Sequence, residues 1–428
     1  MPESTVAYYG DDLTGSVDVL LQFALEGWTG RLFVGRPDAD RLRAAAEAVD
    51  VVGIAGIARS LPTERLDDEV RPALTALREL EPAIVQYKAC STADSSPEIG
   101  SLGRVAEIAG SVFGGDAVPA LFAQPDFGRY TVFGHHFAAE AGRVYRLDRQ
   151  PTMSTHPSTP MNESDLTVHL AHQTALPVES ISVTEIGDSR AFAERLTREH
   201  SVLVIDAVTD EHLLLIGDAL WRRAELSSPL FVIGSGGLSS ALARSRSRLA
   251  STSPPLGALP DGDGPVLVVS GSRSPRTREQ VEHARDAGWS ILTLETHAAE
   301  ATALSARVIA ELTAGRDVVV SAEGARLDLE TGVPPLEQIA EASARIVRDA
   351  VHATATRRVI VCGGDTSGRV TAGLGIASLR IGANPIGNVV VCIAEAEASP
   401  VDGLQLLLKG GQVGPVDLFT RIKHLDAP

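Results

Sequence analysis

Three groups of residues have the types and spacing to do chemistry: two adjacent carboxylates, an isolated lysine among hydroxyls, and a glycine run near the end of the chain. In "VAYYGDDLTGSVDV" (6–19), Asp11 and Asp12 follow an apolar run. Paired carboxylates at a strand terminus can bind hydroxyls, hold Mg2+ or take a proton. A helix N-cap explains one of them equally well. In "VQYKACSTADSSPEIGS" (85–101), Lys88 precedes Ser91, Thr92, Ser95 and Ser96. One cation ringed by neutral donors suits a carboxylate or phosphate, whereas the plainer reading is a lysine snorkelling from a strand end. Of 38 basic residues only Lys88, Lys409 and Lys423 are lysines, and the first two close apolar runs beside small residues.

The glycine run is "RRVIVCGGDTSGRVTAGLGIASL" (357–379), read as a buried strand, a Gly363–Gly368 loop and a helix. Ligands of open α/β sheets bind at the carboxyl ends of strands, and a loop that opens a helix offers free backbone N–H groups to phosphate. Gly363, Gly364 and Gly368 permit close approach, and Thr366 and Ser367 add hydroxyls. Asp365 would repel a bare phosphate and suits a ribose hydroxyl or a Mg2+ shell. A tight turn with a helix cap is the alternative. "VLVVSGSRSPRTREQVEHA" (266–284) repeats strand, donor-rich loop and helix, with Ser270, Ser272 and Ser274 in the loop, and "LLLKGGQVG" (406–414) adds Lys409, Gly410 and Gly411. "FVIGSGGLSSALA" (231–243) comes close to a dinucleotide fingerprint, although Ser239 stands at its last position. The P-loop pattern is absent. His135, His136 and His156 have no partners at zinc-ligand spacing; of the three, His156 is expected to face a ligand.

Parallel sheets are expected to position these loops. Strand-like and helix-like segments alternate through both halves, which argues for helices covering both faces of a sheet. An irregular stretch around 121–177, rich in Pro, His, Thr and Gly, is too long for a simple connection. The expectation is an α/β protein of two domains, 1–250 and 265–428, joined by a Ser/Pro/Gly linker over 251–264. Each domain should carry a mostly parallel sheet flanked by helices, with the active site in the cleft between them.

At 428 residues the chain is long for one core, and its formal charge of −17 argues against nucleic-acid or anionic-membrane partners. No signal peptide or membrane-spanning run is apparent, and the three cysteines form no CxxC. A cytoplasmic protein is predicted, with homo-oligomerisation left open.

"YYGDDLTGSVD", "YKACSTADSS", "SGSRSPRTREQ", "GGDTSGRVTAGLGI" and "LLLKGGQVGPVDLF" occur in the order seen in the four-carbon acid sugar kinases, and the resemblance runs from about 6 to 420. It implies an N-terminal sugar-acid-binding domain, a C-terminal nucleotide-binding domain, and Mg2+-ATP-dependent phosphorylation of a terminal hydroxyl of a small acid. Asp11, Asp12, Lys88, Ser91, Thr92 and His156 then fall to the acid, with Asp12 as the base. Ser270, Ser272, Gly363, Gly364, Asp365, Thr366, Ser367, Lys409, Gly410 and Gly411 fall to ATP; the metal ligands stay unassigned. Members typically follow the lysine with Asp-Ser-Thr-x-Arg-Gly-Asn, and the arginine and asparagine are missing here. Arg129 or Arg149 is expected to replace that arginine. The departure resembles a divergent branch acting on 3-oxo-isoapionate, with threonate, erythronate and 3-oxotetronate as alternatives. Two rivals stand beside this reading: a nicotinamide-dependent dehydrogenase, resting on "GSGGLS", and a non-catalytic aldonate sensor.

Overall fold

The computed structural model describes residues 6–156, 158–187, 189–197, 200–248, 259, 264–328 and 332–425. Of the expected linker 251–264, all but Leu259 and Gly264 lie outside these residues. In chain order the strands are β1 (Val6–Gly10), β2 (Gly30–Val34), β3 (Val51–Ala55), β4 (Ile84–Lys88), β5 (Val118–Leu121), β6 (Arg129–Val132), β7 (His135–Glu140), β8 (Arg143–Arg146) and β9 (Val178–Ile181). There follow β10 (Val202–Ile205), β11 (Leu230–Gly234), β12 (Val266–Ser270), β13 (Ser290–Glu295), β14 (Val318–Arg326), β15 (Arg358–Cys362), β16 (Ser378–Ile386), β17 (Val389–Glu395) and β18 (Gln405–Lys409). The chain divides into two compact units, Met1–Arg31 with Gly35–Ser253, and Leu32–Val34 with Pro254–Pro428.

In the first unit the strands run β3-β1-β4-β11-β5-β10-β9, and the pairs are parallel. β1, β3, β4 and β11 are buried from end to end. Continuous apolar runs are what a sheet covered on both faces requires. The connection leaving β1 travels towards β3, whereas the one leaving β4 travels towards β5, so the chain reverses between β1 and β4. Right-handed crossovers then place the following helices on opposite faces. Accordingly Leu13–Leu25 packs with helix Gly236–Ser245, and Leu102–Phe113 packs with helix Leu66–Arg78. The stretch expected to be irregular holds a small antiparallel sheet, β6-β7-β8. Its buried positions are Thr131, His136 and Ala138 rather than large hydrophobes, so periodicity gave no signal there.

The second unit runs β13-β14-β12-β15-β18-β17-β16, parallel through β18 and antiparallel beyond. Residues Leu32–Val34 belong to it, and Leu32 and Phe33 pair antiparallel with Leu379 and Ser378. Here the reversal falls between β12 and β15. The helix after β12, Pro275–Asp286, packs with Leu418–Lys423, and the helix after β15, Gly364–Gly373, packs with Pro335–Ala353. A core of Val266, Val268, Val319, Ile360, Leu407 and Phe419 lies under the first pair, each such side chain contributing about 1.5–3 kcal/mol on burial.

Candidate active site

Reversal points are where open α/β sheets bind ligands, because diverging loops leave a crevice beyond the strand ends. Both reversal points coincide with motifs singled out above. At the first, parallel register aligns Gly10, Ala55, Lys88 and Gly234 across β1, β3, β4 and β11. Asp11 continues β1, its N–H donating to the Lys88 carbonyl at 3.1 Å. Asp12 is the N-cap of helix Leu13–Leu25, accepting from Gly15 N at 2.8 Å and from Thr14 Oγ1 at 2.8 Å.

Arg59 sets the electrostatics of this end, and the sequence reading did not select it. Its guanidinium grips Asp11 through Nη2 (2.7 Å) and Nε (3.3 Å), and reaches Asp12 Oδ2 through Nη1 at 3.0 Å. It lies in "GIARS", just past the end of β3, so the strand-end rule that selected Asp11 and Lys88 selects it as well. Asp11 is 2% exposed. Burial pushes its carboxyl up to about 6, and Arg59 only partly offsets that. For Asp12 burial acts in the same direction, but Arg59, Lys88, Thr14 and Gly15 together outweigh it and hold the carboxyl below the usual range. Both oxygens are occupied in each carboxylate, and Asp12, expected as the base, is the one held weakly basic. Asp11 is the more basic of the two.

Lys88 is buried. Its Nζ donates to the Ala89 carbonyl at 2.9 Å, and Asp18 Oδ2 lies 4.0 Å away. In the loop that follows, Thr92 donates to Asp94 at 2.5 Å and sits 3.0 Å from Cys90 Sγ. Ser91 and Thr92, expected beside Lys88, are buried in this loop. Arg149 is exposed, 3.9 Å from Asp148. Arg129 has Nη1 on the carbonyls of Phe127 (2.9 Å) and Ala139 (3.2 Å), with its guanidinium over the Phe127 ring. Arg129 is within electrostatic reach of Cys90 and Asp94 in the Lys88 loop, and Asp11 and Asp12 are gripped by Arg59. His156 accepts at Nδ1 from Thr159 within its own loop. The glycines of "GSGGLS" are explained by packing. A methyl group at Gly234 would lie 2.2 Å from Leu121 O, and one at Gly237 would lie 1.9 Å from Ala123 O. Close backbone packing therefore accounts for these glycines without a dinucleotide.

At the second reversal point Ser270, Cys362 and Lys409 are in register across β12, β15 and β18. The expected Gly363–Gly368 loop is shorter than it reads. Gly363, at φ 120°, is the cap, and Gly364 already begins the helix. Ser367 N–H and Oγ both donate to the Gly363 carbonyl, so its hydroxyl faces the turn rather than a ligand. The backbone N–H groups of Gly364 and Thr366 fall in the first turn, where no helical acceptor exists. The side chain of Asp365 lies outside the described residues. The flanking loops are close: a methyl group at Gly271 would lie 2.1 Å from Thr366 Oγ1, and one at Gly411 would lie 2.5 Å from Ser272 Oγ.

Lys409 is 2% exposed. Its Nζ donates to Thr277 Oγ1 at 3.1 Å and reaches Gly411 O at 3.5 Å. Among the described residues no carboxylate lies within ion-pair range of it. A buried ammonium held by neutral oxygens alone is costly unless an anion completes its shell. Ser274 Oγ and Thr277 Oγ1 bond Gly411 O at 2.5 and 2.7 Å, tying the two loops together. Beside them a cavity of about 260 Å3 is lined by Ser270, Ser272, Thr277, Ser321 and Glu323. No group of three or more His, Cys, Asp or Glu suited to a metal occurs among the described residues. Hydroxyls and backbone donors fit a Mg2+ ion carried on nucleotide phosphates, with few protein ligands of its own.

The fold defines a two-domain α/β protein with a buried lysine at a strand end beside the reversal point in each unit. Comparison with known proteins makes this more specific. The description "Sugar-binding N-terminal domain" matches residues 6–242 and "Nucleotide-binding C-terminal domain" matches 267–419. A 3-oxo-isoapionate kinase from Paraburkholderia graminis is 36% identical, with 98% of this chain and 94% of that protein covered. A 3-oxo-tetronate kinase from Cupriavidus necator is 30% identical over 96% of this chain and 94% of its own. A solved structure from Salmonella typhimurium LT2 shares the fold at a TM-score of 0.77 with 24% identity, covering 98% of this chain and 99% of that one. The chain belongs to the four-carbon acid sugar kinase family.

Proposed function

We propose that the chain transfers the γ-phosphoryl group of ATP to a terminal hydroxyl of a small sugar acid, with 3-oxo-isoapionate the first candidate. The identity to the Paraburkholderia graminis kinase supports that acid above 3-oxotetronate. The observation that carries the kinase reading is the pair of buried lysines, each at a strand end beside a reversal point: Lys88, ion-paired with Asp18 at 4.0 Å, and Lys409, held by neutral oxygens.

In this reading Lys88, with the hydroxyls of Ser91 and Thr92, takes the acid's carboxylate. Asp11 accepts the proton of the attacking hydroxyl as the new O–P bond forms and the bond to the β-phosphate oxygen breaks, releasing ADP. Arg59 orients Asp11 and spreads the charge of the neighbouring Asp12. Gly364, Thr366, Ser272, Gly410 and Gly411 present donors to the phosphate chain, and Lys409 neutralises it. Mg2+ bound to those phosphates supplies further charge neutralisation. Catalysis of this kind is mostly positioning and electrostatics, which fits sites built from backbone donors and fixed cations. Small-molecule substrates and a cytosolic setting complete the reading. They fit the absence, among the described residues, of any helix long and apolar enough to cross a membrane.

A coupled ADP-release assay with Mg2+-ATP over 3-oxo-isoapionate, 3-oxotetronate, threonate and erythronate tests this. Turnover on the branched acid above the others is the expected result. Turnover confined to 3-oxotetronate would move the chain to the second group of relatives. Calorimetric binding of an acid without ATP binding or turnover would favour the sensor.

A further inference from the structure

The Lys88 loop is held from beneath by two histidines that the proposed chemistry does not use. His136, on β7, is fully buried, with Nε2 2.8 Å from the Ser91 carbonyl and Nδ1 2.9 Å from Thr131 Oγ1. A carbonyl only accepts, so Nε2 carries the hydrogen and Nδ1 accepts from the threonine hydroxyl. His169, in helix Leu166–Ala171, lies with Nε2 3.0 Å from Ser95 Oγ, and Gln173 Nε2 donates to the same hydroxyl at 2.9 Å. Ser95 in turn donates to the Ala93 carbonyl at 2.9 Å. Burial drives both imidazoles down, His136 to about 3 and His169 to about 4, so both are neutral at working pH and neither acts as a proton donor to substrate.

The loop between these anchors needs them. Ala93 has φ 51°, in the left-handed region that a residue with a Cβ disfavours, and the Ala93 N–H closes a turn on the Cys90 carbonyl at 3.0 Å. Such strain persists only where the surroundings over-determine it. The residues set by this turn are Ser91 and Thr92, three and four positions after Lys88.

We infer that His136 and His169 are positioning residues that clamp the Ser91–Ser95 turn from two separate elements and so fix the hydroxyls which accompany Lys88. His136 acts on the main chain of the turn and His169 on its far end. The placement of the loop is therefore determined by the small antiparallel sheet and the following helix, and not by β4 alone. Only the expectation for KM rests on the kinase reading.

Cys90 reports on the clamp without any turnover, because its thiol is in the turn while Cys362 and Cys392 are buried in the other unit. In His136→Leu, which leaves the Ser91 carbonyl and the Thr131 hydroxyl unpaired, the rate of Cys90 labelling by DTNB should rise about tenfold or more, since a buried partner is lost. Cys362 and Cys392 should stay protected. KM for the acid should rise about tenfold with KM for ATP unchanged, the cost of a misplaced donor. His136→Gln, which can still donate to Ser91, should recover most of both. If His136→Leu does not fold, Thr131→Val, which removes only the hydroxyl that sets the tautomer, should show the same signs at smaller size. Labelling of Cys90 at the wild-type rate, or simultaneous exposure of all three cysteines, would overturn the inference. A wild type inactive on every acid would remove the kinase reading and leave the labelling result standing.

Discussion

The two units solve one topological problem with opposite chemistry. Each places its ligand loops where a parallel sheet reverses direction, and each buries a lysine at the end of the strand beside that reversal. The first unit surrounds Lys88 with ionised groups, Asp11, Asp12, Arg59 and Asp18, so that with Lys88 three carboxylates face two cations. The second leaves Lys409 among hydroxyls and carbonyls. A set of fixed charges of both signs discriminates between small polar ligands by geometry, because each misplaced charge is penalised. An unbalanced cation with many neutral donors holds any polyphosphate and specifies little else. The acid is thus expected to be read in detail and the phosphate chain simply held.

Substitutions that treat the units differently sharpen or break this contrast. The largest effect is expected for Lys88→Ala, with kcat/KM for the acid down by roughly 10^2–10^3-fold, as for loss of a transition-state charge partner. ATP affinity by calorimetry should be unchanged; weakening of both would break the division of labour. Lys409→Ala should weaken ATP binding by about 10–100-fold, the range for charge-assisted hydrogen bonds, and leave acid binding intact.

Asp11→Asn tests which neighbour is the base. In the wild type, log kcat/KM should fall with unit slope below about pH 6, where Asp11 becomes protonated. Asp12→Asn should keep that limb, and Asp11→Asn should abolish it together with most of the rate. The sign for stability runs the other way. A carboxyl raised in the folded state holds its proton between the unfolded value and about 6, so its contribution to stability declines as pH rises through that window. The smallest functional effect is expected for Gly237→Ala. Its new methyl meets the Ala123 carbonyl, so urea denaturation should show a loss of about 1–3 kcal/mol, the usual range for overpacking, with neither ligand affinity altered. Weakened nucleotide binding in that variant would reopen the dinucleotide reading of this loop.

Much of this was legible in the chain, for a physical reason. Strands buried on both faces are continuous apolar runs, so β1, β4, β12 and β15 were visible, and the residues that follow them are where ligands bind. Asp11, Lys88 and Lys409 could be located that way. Arg59 satisfied the same rule but sits in an arginine-rich chain, where one guanidinium among many carries no contrast. The division of roles between Asp11 and Asp12 was not legible, because it depends on burial and on partners 47 and 48 residues away. Nor was His136, whose partner is a main-chain carbonyl 45 residues distant and leaves no spacing to detect. The start of the helix at Gly364 was misplaced by the ordinary bias against glycine in helices, which a cap at φ 120° overrides.

The junction at Gly10–Leu13 has a consequence for how this part of the chain can vary. Asp11 is placed by the register of a strand and Asp12 by the first turn of a helix, so each takes its environment from its count along the chain. A residue inserted between Gly10 and Asp11 would hand the first carboxylate's place beside Arg59 to a newcomer, and one inserted between Asp12 and Leu13 would do the same to the cap, though every side chain were preserved. Insertions and deletions should therefore be absent from this short stretch, while the exposed turn at Ala141–Gly142, where a methyl group on Gly142 would meet open space, should accept them freely.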